Sequence, residues 1–162
     1  MPALKLLLDD VFDFDFTVIA IHCSLEEYRM AFLINKYAGL RLKSSDDVDF
    51  FVKNDKYSFT AMRFDDQKNY QSYTLIANKY KLKYDKRAIN SDLFTESESE
   101  HYKTLNLVPE VKNADYLLKI ESDNGKIPTL ALLAQLNQIS QIITAYHVEV
   151  SSLKSKQNLI FE

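Results

Sequence analysis

The predicted fold depends most on residues 115–150, which read DYLLKIESDNGKIPTLALLAQLNQISQIITAYHVEV. The first six residues are typical of a strand, and SDNG at 122–125 is typical of a turn. Pro128 then stands where a helix accepts proline, at its first position. Alternation typical of a second strand follows at 146–150. The residues between them keep helical spacing: Leu132, Leu133, Leu136, Ile139 and Ile143. This stretch therefore predicts a βαβ unit.

A strand that is covered on both faces is predicted near the start of the sequence. Phenylalanines at positions 12, 14 and 16 alternate with polar residues, which is the period-two pattern of a strand. Residues 18–21 are then apolar without alternation. Because both sides of such a strand are apolar, we expect its second half to lie in the middle of a sheet.

A helix is predicted over about residues 25–38. Ser24 and Glu27 have the spacing of a capping box, and Gly39 follows as a stop. The apolar face of this helix is predicted from residues at helical spacing: Leu25, Tyr28, Ala31 and Phe32.

The middle of the sequence is typical of antiparallel strands. Residues 57–64 and 70–79 are strand-like and are joined by a polar segment that suits a hairpin loop. Weaker strands are predicted within 40–52, and these are candidate edge strands. Periodicity disappears over 81–105, which contains the acidic tract TESESE. We predict a long surface loop there, and partial disorder is an open alternative.

These elements predict an α+β fold within a single domain, residues 1–162. We expect a mixed, mostly antiparallel sheet with two helices packed on one face and a C-terminal βαβ unit. The βαβ unit and the early strand–helix pair would flank the antiparallel middle of the chain.

Composition excludes several classes of function. The net charge is −3, whereas nucleic-acid binders normally present a basic face. Two glycines, far apart, cannot form the glycine-rich loops that cradle phosphates. One cysteine excludes a disulfide or CxxC site within the chain. No secretory signal and no apolar stretch of ~20 residues is found, so we expect a soluble, cytoplasmic protein that does not enter a membrane.

The stretch VPEVKNADY at 108–116 resembles the signature of the IPExxxVDY family of small bacterial proteins. DFDFTVIAI at 13–21 and LKSKQNLIF at 153–161 agree with the resemblance, which therefore covers most of the chain. Val108 and Ala114 replace the isoleucine and valine of the signature, and both changes keep an apolar side chain. The family has no established activity, so the resemblance implies a lineage and a cytoplasmic setting without a mechanism.

Three residues of this motif are the first candidate site. Glu110 and Asp115 could act as paired carboxylates in acid–base chemistry, with Tyr116 as a proton donor. The structural alternative is that both carboxylates accept hydrogen bonds at turns while Tyr116 lies in the core. No nucleophile or histidine accompanies them in sequence, which favours the structural alternative.

Cys23 is the second candidate. It precedes the predicted helix, whose dipole could lower the pKa of the thiol, and a nucleophilic pair would need His101 or His147 to be brought near. His22 and Cys23 are adjacent on a strand and point to opposite faces. A small buried cysteine is the favoured alternative. Asn35 is expected to satisfy a loop carbonyl rather than to bind a ligand.

Basic and aromatic residues alternate over 79–87. Lys79, Tyr80, Lys81 and Lys83 could bind a single-stranded nucleic acid through charge and base stacking. The alternative is that lysines on an edge strand guard against aggregation.

We therefore expect a non-catalytic interaction or scaffold module. It would act through a sheet edge within residues 40–52, either by binding a protein partner or by forming a homodimer. The first alternative is a weak RNA or single-strand binder through residues 79–87. The second is a small-ligand protein or enzyme near Cys23 or Glu110. No catalytic residue, metal ion or cofactor is predicted.

Overall fold

The computed structural model of the chain describes residues 16–84, 101–125 and 127–161. In these ranges the chain forms the helices α1 (Glu27–Ala38) and α2 (Thr129–Asn137). Short 3₁₀ turns occur at Pro109–Val111, Val150–Ser152 and Lys156–Leu159. The strands are β1 (Phe16–His22), β2 (Lys43–Ser44), β3 (Val48–Val52), β4 (Asp55–Phe59), β5 (Ala61–Asp66), β6 (Gln71–Ala77), β7 (Lys79–Tyr84), β8 (His101–Asn106), β9 (Tyr116–Ser122) and β10 (Thr144–Val148).

Six strands form the central sheet, in the order β10-β1-β9-β6-β5-β2. Every neighbouring pair in it is antiparallel. Because β9 and β10 are both antiparallel to β1, they are parallel to each other, and α2 joins them. The predicted βαβ unit is therefore confirmed, with β1 inserted between its two strands. The α+β fold class is also confirmed.

Strand β1 lies inside this sheet, between β9 and β10. The side chains of residues 18–21 are fully buried, although they alternate between the two faces of the sheet. Both faces must therefore be covered by other parts of the chain. This confirms the prediction of a central strand, which was based on the uninterrupted apolar run.

The two helices pack on one face of the central sheet, as predicted. That apolar layer includes Ile19, Ile21, Leu118, Ile120, Met30, Ile34, Leu132 and Leu136. Hairpin β3–β4 and the C-terminal 3₁₀ turns cover the other face. That second layer includes Val18, Ala20, Tyr57, Phe59, Val108, Leu117, Leu153 and Leu159. Each fully buried side chain of this size contributes about 1.5–3 kcal/mol, so both layers are needed to hold the sheet.

Helix α1 ends as predicted but begins differently. Gly39 has φ 69°, and its N–H donates to the Asn35 carbonyl at 3.1 Å, which confirms the glycine stop. The predicted capping box of Ser24 and Glu27 is wrong: Glu26 is the N-cap residue, and no side chain caps the helix. After β1 ends at His22 the chain bends at Leu25, whose side chain packs against the core.

The predicted apolar face of α1 is also wrong in phase. Met30, Ala31 and Ile34 are the buried residues, whereas Tyr28 and Phe32 are 59% and 65% exposed. Helical spacing alone does not distinguish two apolar stripes on one helix. The side of α1 that faces the sheet is set by packing that the local sequence does not encode.

The middle of the chain is more divided than predicted. Residues 57–64 belong to two strands, because β4 packs over the sheet while β5 lies within it. Residues 70–79 are divided in the same way at Asn78. The predicted loop 81–105 is wrong at its two ends, where β7 pairs with β8. Residues 85–100, with the acidic tract, lie outside the described residues. Of the weaker strands predicted within 40–52, the second is confirmed as β3, whereas the first is reduced to the two residues of β2, because residues 40–42 are not in a strand.

The second helix is shorter than its apolar pattern. Pro128 is the N-cap residue rather than the first helical residue, and α2 ends at Asn137. Leu132, Leu136 and Ile139 are buried, but Ile143 lies beyond the helix and is 80% exposed. Neither described helix, at 12 and 9 residues, is long and apolar enough to cross a bilayer.

Candidate functional site

The motif 108–116 folds around the buried side chain of Asn78. The amide nitrogen Nδ2 donates to the carbonyls of Val111 and Ala114, each at 3.0 Å. The amide oxygen Oδ1 accepts from the Val108 N–H at 2.8 Å. The side chain of Asn78 therefore acts as an extra peptide group: it binds the Val108 N–H and the Ala114 carbonyl, and it is a second donor to the Val111 carbonyl, which also accepts from the Ala114 N–H at 2.9 Å.

Asp115 joins the end of β1 to the start of β7. Its Oδ2 accepts from the Cys23 N–H at 2.8 Å, and its Oδ1 pairs with Lys79 Nζ at 3.0 Å. The Asp115 N–H also donates to the Ile21 carbonyl at 2.9 Å. Both carboxylate oxygens are thus engaged, and Asp115 fixes where three parts of the chain cross.

Glu110 has a separate partner. Its Oε1 accepts from the Ser155 N–H at 2.9 Å, and its Oε2 accepts from the Ser155 hydroxyl at 2.5 Å. Partial desolvation acts to raise the pKa of Glu110, but hydrogen bonds from Ser155 and neighbouring backbone groups outweigh it and hold that pKa below its usual value. Glu110 therefore ties the motif to the C-terminal segment as an ionised carboxylate, and it shares no partner with Asp115.

Tyr116 and Cys23 are both buried and both protonated. The Tyr116 hydroxyl donates to the Leu25 carbonyl, and burial raises its pKa, with nearby carboxylates such as Glu27 adding to the rise. Burial also raises the pKa of the Cys23 thiol, and Asp115 adds to that rise against a smaller lowering from a backbone hydrogen bond. A nucleophilic cysteine needs the opposite shift. The geometry therefore favours the structural alternative for both residues.

The described histidine contacts lead away from Cys23. His22 Nε2 lies 3.3 Å from the Tyr146 hydroxyl, and the two rings are 5.5 Å apart. His147 is exposed on β10. In residues 16–84, 101–125 and 127–161, no three or more His, Cys, Asp or Glu side chains are grouped so that they could hold a metal ion.

The basic stretch lies on hairpin β7–β8, and its side chains differ in availability. Lys79 is occupied by Asp115. The Tyr80 ring makes edge contacts with Tyr57 and Phe59, at 5.5 Å and 6.0 Å between centroids. Lys81 is exposed, and Lys83 pairs in register with Tyr102. Lys79 and Tyr80, two of the four candidate residues, thus make contacts inside the protein. The nucleic-acid hypothesis stays a prediction.

A cleft of about 760 Å³ lies between the end of α1, the β5–β6 turn and the β9–α2 connection. It contains Asp66 and Tyr73 but neither Cys23 nor Glu110. Hydrogen bonds, chiefly from the Asn69 amide, lower the pKa of Asp66, whereas burial and Asp66 raise the pKa of Tyr73. Both groups are displaced away from neutrality, which is the reverse of what acid–base catalysis requires.

Three asparagines and one lysine carry structural roles that the sequence patterns mostly miss. Asn35 behaves as predicted, since it donates to and accepts from the backbone of Leu42. The side chains of Asn137 and Asn78 also bond to backbone N–H and carbonyl groups, and no pattern in the sequence marks these two residues. Lys119 is 4% exposed in β9, and its Nζ lies 4.7 Å from the centre of the Phe16 ring and 4.5 Å from that of the Phe161 ring. A lysine inside the apolar run LLKI was the available signal for it.

Strand β3 presents a different kind of surface. Val48, Phe50 and Val52 pack toward the apolar layer, whereas Asp49 and Phe51 lie on the other side, with Phe51 66% exposed. Within the described residues β3 pairs with β4 alone. One long side of this strand is therefore unpaired there.

The register of the β3–β4 hairpin shows which backbone groups face outward. Val52 pairs with Asp55 across a two-residue turn, so those residues exchange both ladder hydrogen bonds. By alternation, Phe50 also bonds to β4. The N–H and C=O groups of Asp49 and Phe51 then point away from β4, and they form the binding face of an open edge.

No protein-family model matches the chain, and no curated protein matches it. The resemblance to the IPExxxVDY family therefore stays a prediction. Within the motif, Glu110 and Asp115 each have structural contacts, and the Asn78 side chain binds the backbone of the motif.

Proposed function

We propose that this protein is a non-catalytic interaction module that binds an extended polypeptide strand along the outer side of β3. The observation that carries the proposal is the outward backbone of Asp49 and Phe51, next to an aromatic side chain that is 66% exposed. Strand addition of this kind takes its affinity from main-chain hydrogen bonds and its specificity from alternate side chains. The cytoplasmic setting inferred from the sequence belongs to the same proposal.

The edges of the central sheet are poorer sites for strand addition. Strand β2 has two residues, one of them Lys43, with Arg41 close by, and short charged edges resist pairing. On β10, the Asn137 amide occupies the outer groups of Ala145: Nδ2 donates to its carbonyl and Oδ1 accepts from its N–H, both at 3.0 Å. Both edges of the central sheet are therefore poorly available for pairing with another strand, whereas the outer side of β3 is available within the described residues.

The side chains of β3 define the chemistry of the partner strand. Phe51 favours an apolar residue opposite it, and Asp49, which already pairs with Lys56 of β4, attracts a second cation. Lys53, two residues beyond Phe51, needs an anion. Read antiparallel to β3, the complementary sequence is DVFVK, and this peptide is the probe for the proposal.

The test uses amide signals of the whole protein in NMR spectra. An excess of the blocked peptide DVFVK should shift the Asp49 and Phe51 amides and slow their hydrogen exchange. The same peptide N-methylated at its phenylalanine lacks the central donor and should leave both amides unchanged. Equal effects of the two peptides, or none from either on a sample shown to be monomeric, would overturn strand addition at β3.

A protein variant gives the matched control. In Phe51→Pro the missing N–H is one that faces outward, so hairpin β3–β4 keeps its ladder and the chain folds. This variant should lose the peptide. Phe51→Thr keeps the outward N–H and strand propensity, and it should bind more weakly without losing the peptide altogether. Full binding by Phe51→Pro would contradict the proposal.

A further inference from the structure

We propose that the strand bound along β3 is β3 of a second copy of this chain, in antiparallel register centred on Phe51. This inference rests on the proposed function and names its partner. The two hairpins would form one four-stranded sheet, in the order β4-β3-β3-β4, around a two-fold axis. Such an interface is self-complementary, as symmetric dimers require.

The charge pattern of the strand supports a second copy. Residues 49–53 read DFFVK, so antiparallel pairing about Phe51 brings Asp49 level with Lys53 of the other copy, which lies in the turn directly after that copy's β3, and the reverse holds at the far end. Phe51 then meets Phe51. Opposite charges directly across an antiparallel pair stabilise it, and aromatic pairs do so as well. Residues 49–53 are thus complementary in charge to the same residues of a second copy.

The hydrogen-bond pattern agrees with the same register. The backbone groups of Asp49 and Phe51 face outward, and the register places the outward groups of Phe51 against those of Phe51 in the other copy. A shift by one residue would oppose outward groups to groups already bonded to β4. The parity of the ladder excludes shifts by one residue and is compatible with the alignment that the charge pattern selects.

Contacts inside one chain leave room for this pairing. Asp49 binds Lys56 at 3.1 Å and Ser58 at 2.7 Å on the side of β4, and the Asp49 side chain remains 42% exposed. Lys53 is exposed, in the turn between the two strands, at φ 55°. In the dimer Asp49 would lie between Lys56 and the other copy's Lys53. Phe51 would lose contact with water on the side where the two rings meet.

Sedimentation equilibrium over a range of protein concentrations tests the dimer. We expect the wild-type chain to be dimeric at high concentration. In Asp49→Lys the paired positions 49 and 53 are both basic, and in Lys53→Asp both are acidic. Each variant alone should dimerise about 10- to 30-fold more weakly, because two attractive pairs per dimer become repulsive.

The decisive sample is an equimolar mixture of the two variants. Position 49 of one chain then attracts position 53 of the other at both ends of the interface, so the mixture should form a heterodimer. Recovery on mixing shows that each variant is folded, since an unfolded chain would not pair. Lys68→Asp, the same charge change in an exposed turn elsewhere, should leave dimerisation unchanged.

The outcomes separate this inference from the proposed function. A monomeric wild-type chain that still binds DVFVK would overturn the dimer and leave strand addition standing. A monomeric chain that ignores the peptide would overturn both. A dimer that is unaffected by Asp49→Lys and Lys53→Asp, or a mixture that does not recover, would overturn the register.

Discussion

Replacing Asn78 by alanine should destabilise the protein more than any ordinary polar substitution. The Asn78 side chain is fully buried and makes three hydrogen bonds to the backbone of the motif, to Val108, Val111 and Ala114. Val108 and Ala114 are themselves fully buried, so water does not replace the lost partner without opening the structure. The substitution therefore leaves one buried N–H and two carbonyls without the amide.

The expected cost follows from those three groups. A buried N–H without an acceptor costs about 1–3 kcal/mol, and each lost bond to a carbonyl costs about 0.5–1.5 kcal/mol. We expect Asn78→Ala to lower the free energy of unfolding by about 4 kcal/mol. For a chain of this size that corresponds to a fall in Tm of about 8–16 °C.

Urea denaturation followed by circular dichroism measures this change. Asn113→Ala is the matched control, because Asn113 lies in the same motif and is exposed, and its loss should cost less than about 0.5 kcal/mol. Equal midpoints for Asn78→Ala and Asn113→Ala would refute the role given to the buried amide.

A second substitution, Asn78→Asp, should change the stability of the protein by an amount that depends on pH. Its carboxylate would face the Val111 and Ala114 carbonyls, which repel a negative charge, so the pKa of the new carboxyl should be raised in the folded state. A raised acid pKa means that stability is lost as pH rises. The variant should therefore be more stable at pH 5 than at pH 8, relative to the wild-type chain.

Three further predictions concern other residues. The pKa of Glu110 is lowered in the folded state, so its stabilisation is present above the ordinary pKa of ~4.3 and is lost as pH falls through the folded pKa. Glu110→Gln should therefore lower the free energy of unfolding at pH 7, by at most about 1 kcal/mol since the group is exposed. This loss should shrink as the pH falls below the ordinary pKa of the carboxyl, and an equal loss at every pH would contradict the prediction. Since the Cys23 thiol is buried and its pKa raised, a thiol reagent at pH 8 should react at least about 100-fold more slowly with the native than with the urea-unfolded chain, and similar rates would contradict the assignment. Tyr70 has φ 55° and is 64% exposed, so Tyr70→Gly should raise the free energy of unfolding by about 0.5–1 kcal/mol in urea titrations, whereas a loss would show that its ring packs.

Features that depend on neighbours in sequence were predictable. The glycine that ends α1 and the apolar run of β1 are local signals, and both were interpreted correctly. The βαβ unit followed from a change in period over 115–150. These patterns require only the geometry of one element at a time.

Features that depend on distant parts of the chain were not predictable. Asn78 bonds to residues 30 to 36 positions away, so no local pattern marks it. The same limit explains the wrong face of α1, which is chosen by the sheet beneath it. The carboxylates of the motif were recognised as candidates, but their partners Ser155 and Cys23 lie 45 and 92 positions away.

The insertion of β1 between β9 and β10 has a consequence for synthesis on the ribosome. Contacts such as Cys23 to Asp115 and His22 to Tyr146 span 92 and 124 positions. At ~5–20 residues per second, the apolar β1 therefore waits roughly 5 to 20 s for its first neighbour in the sheet. During that interval β1 is an exposed apolar segment of the nascent chain and is prone to aggregation. Pairing with β10, the last of the described strands to be made, completes its burial in the sheet.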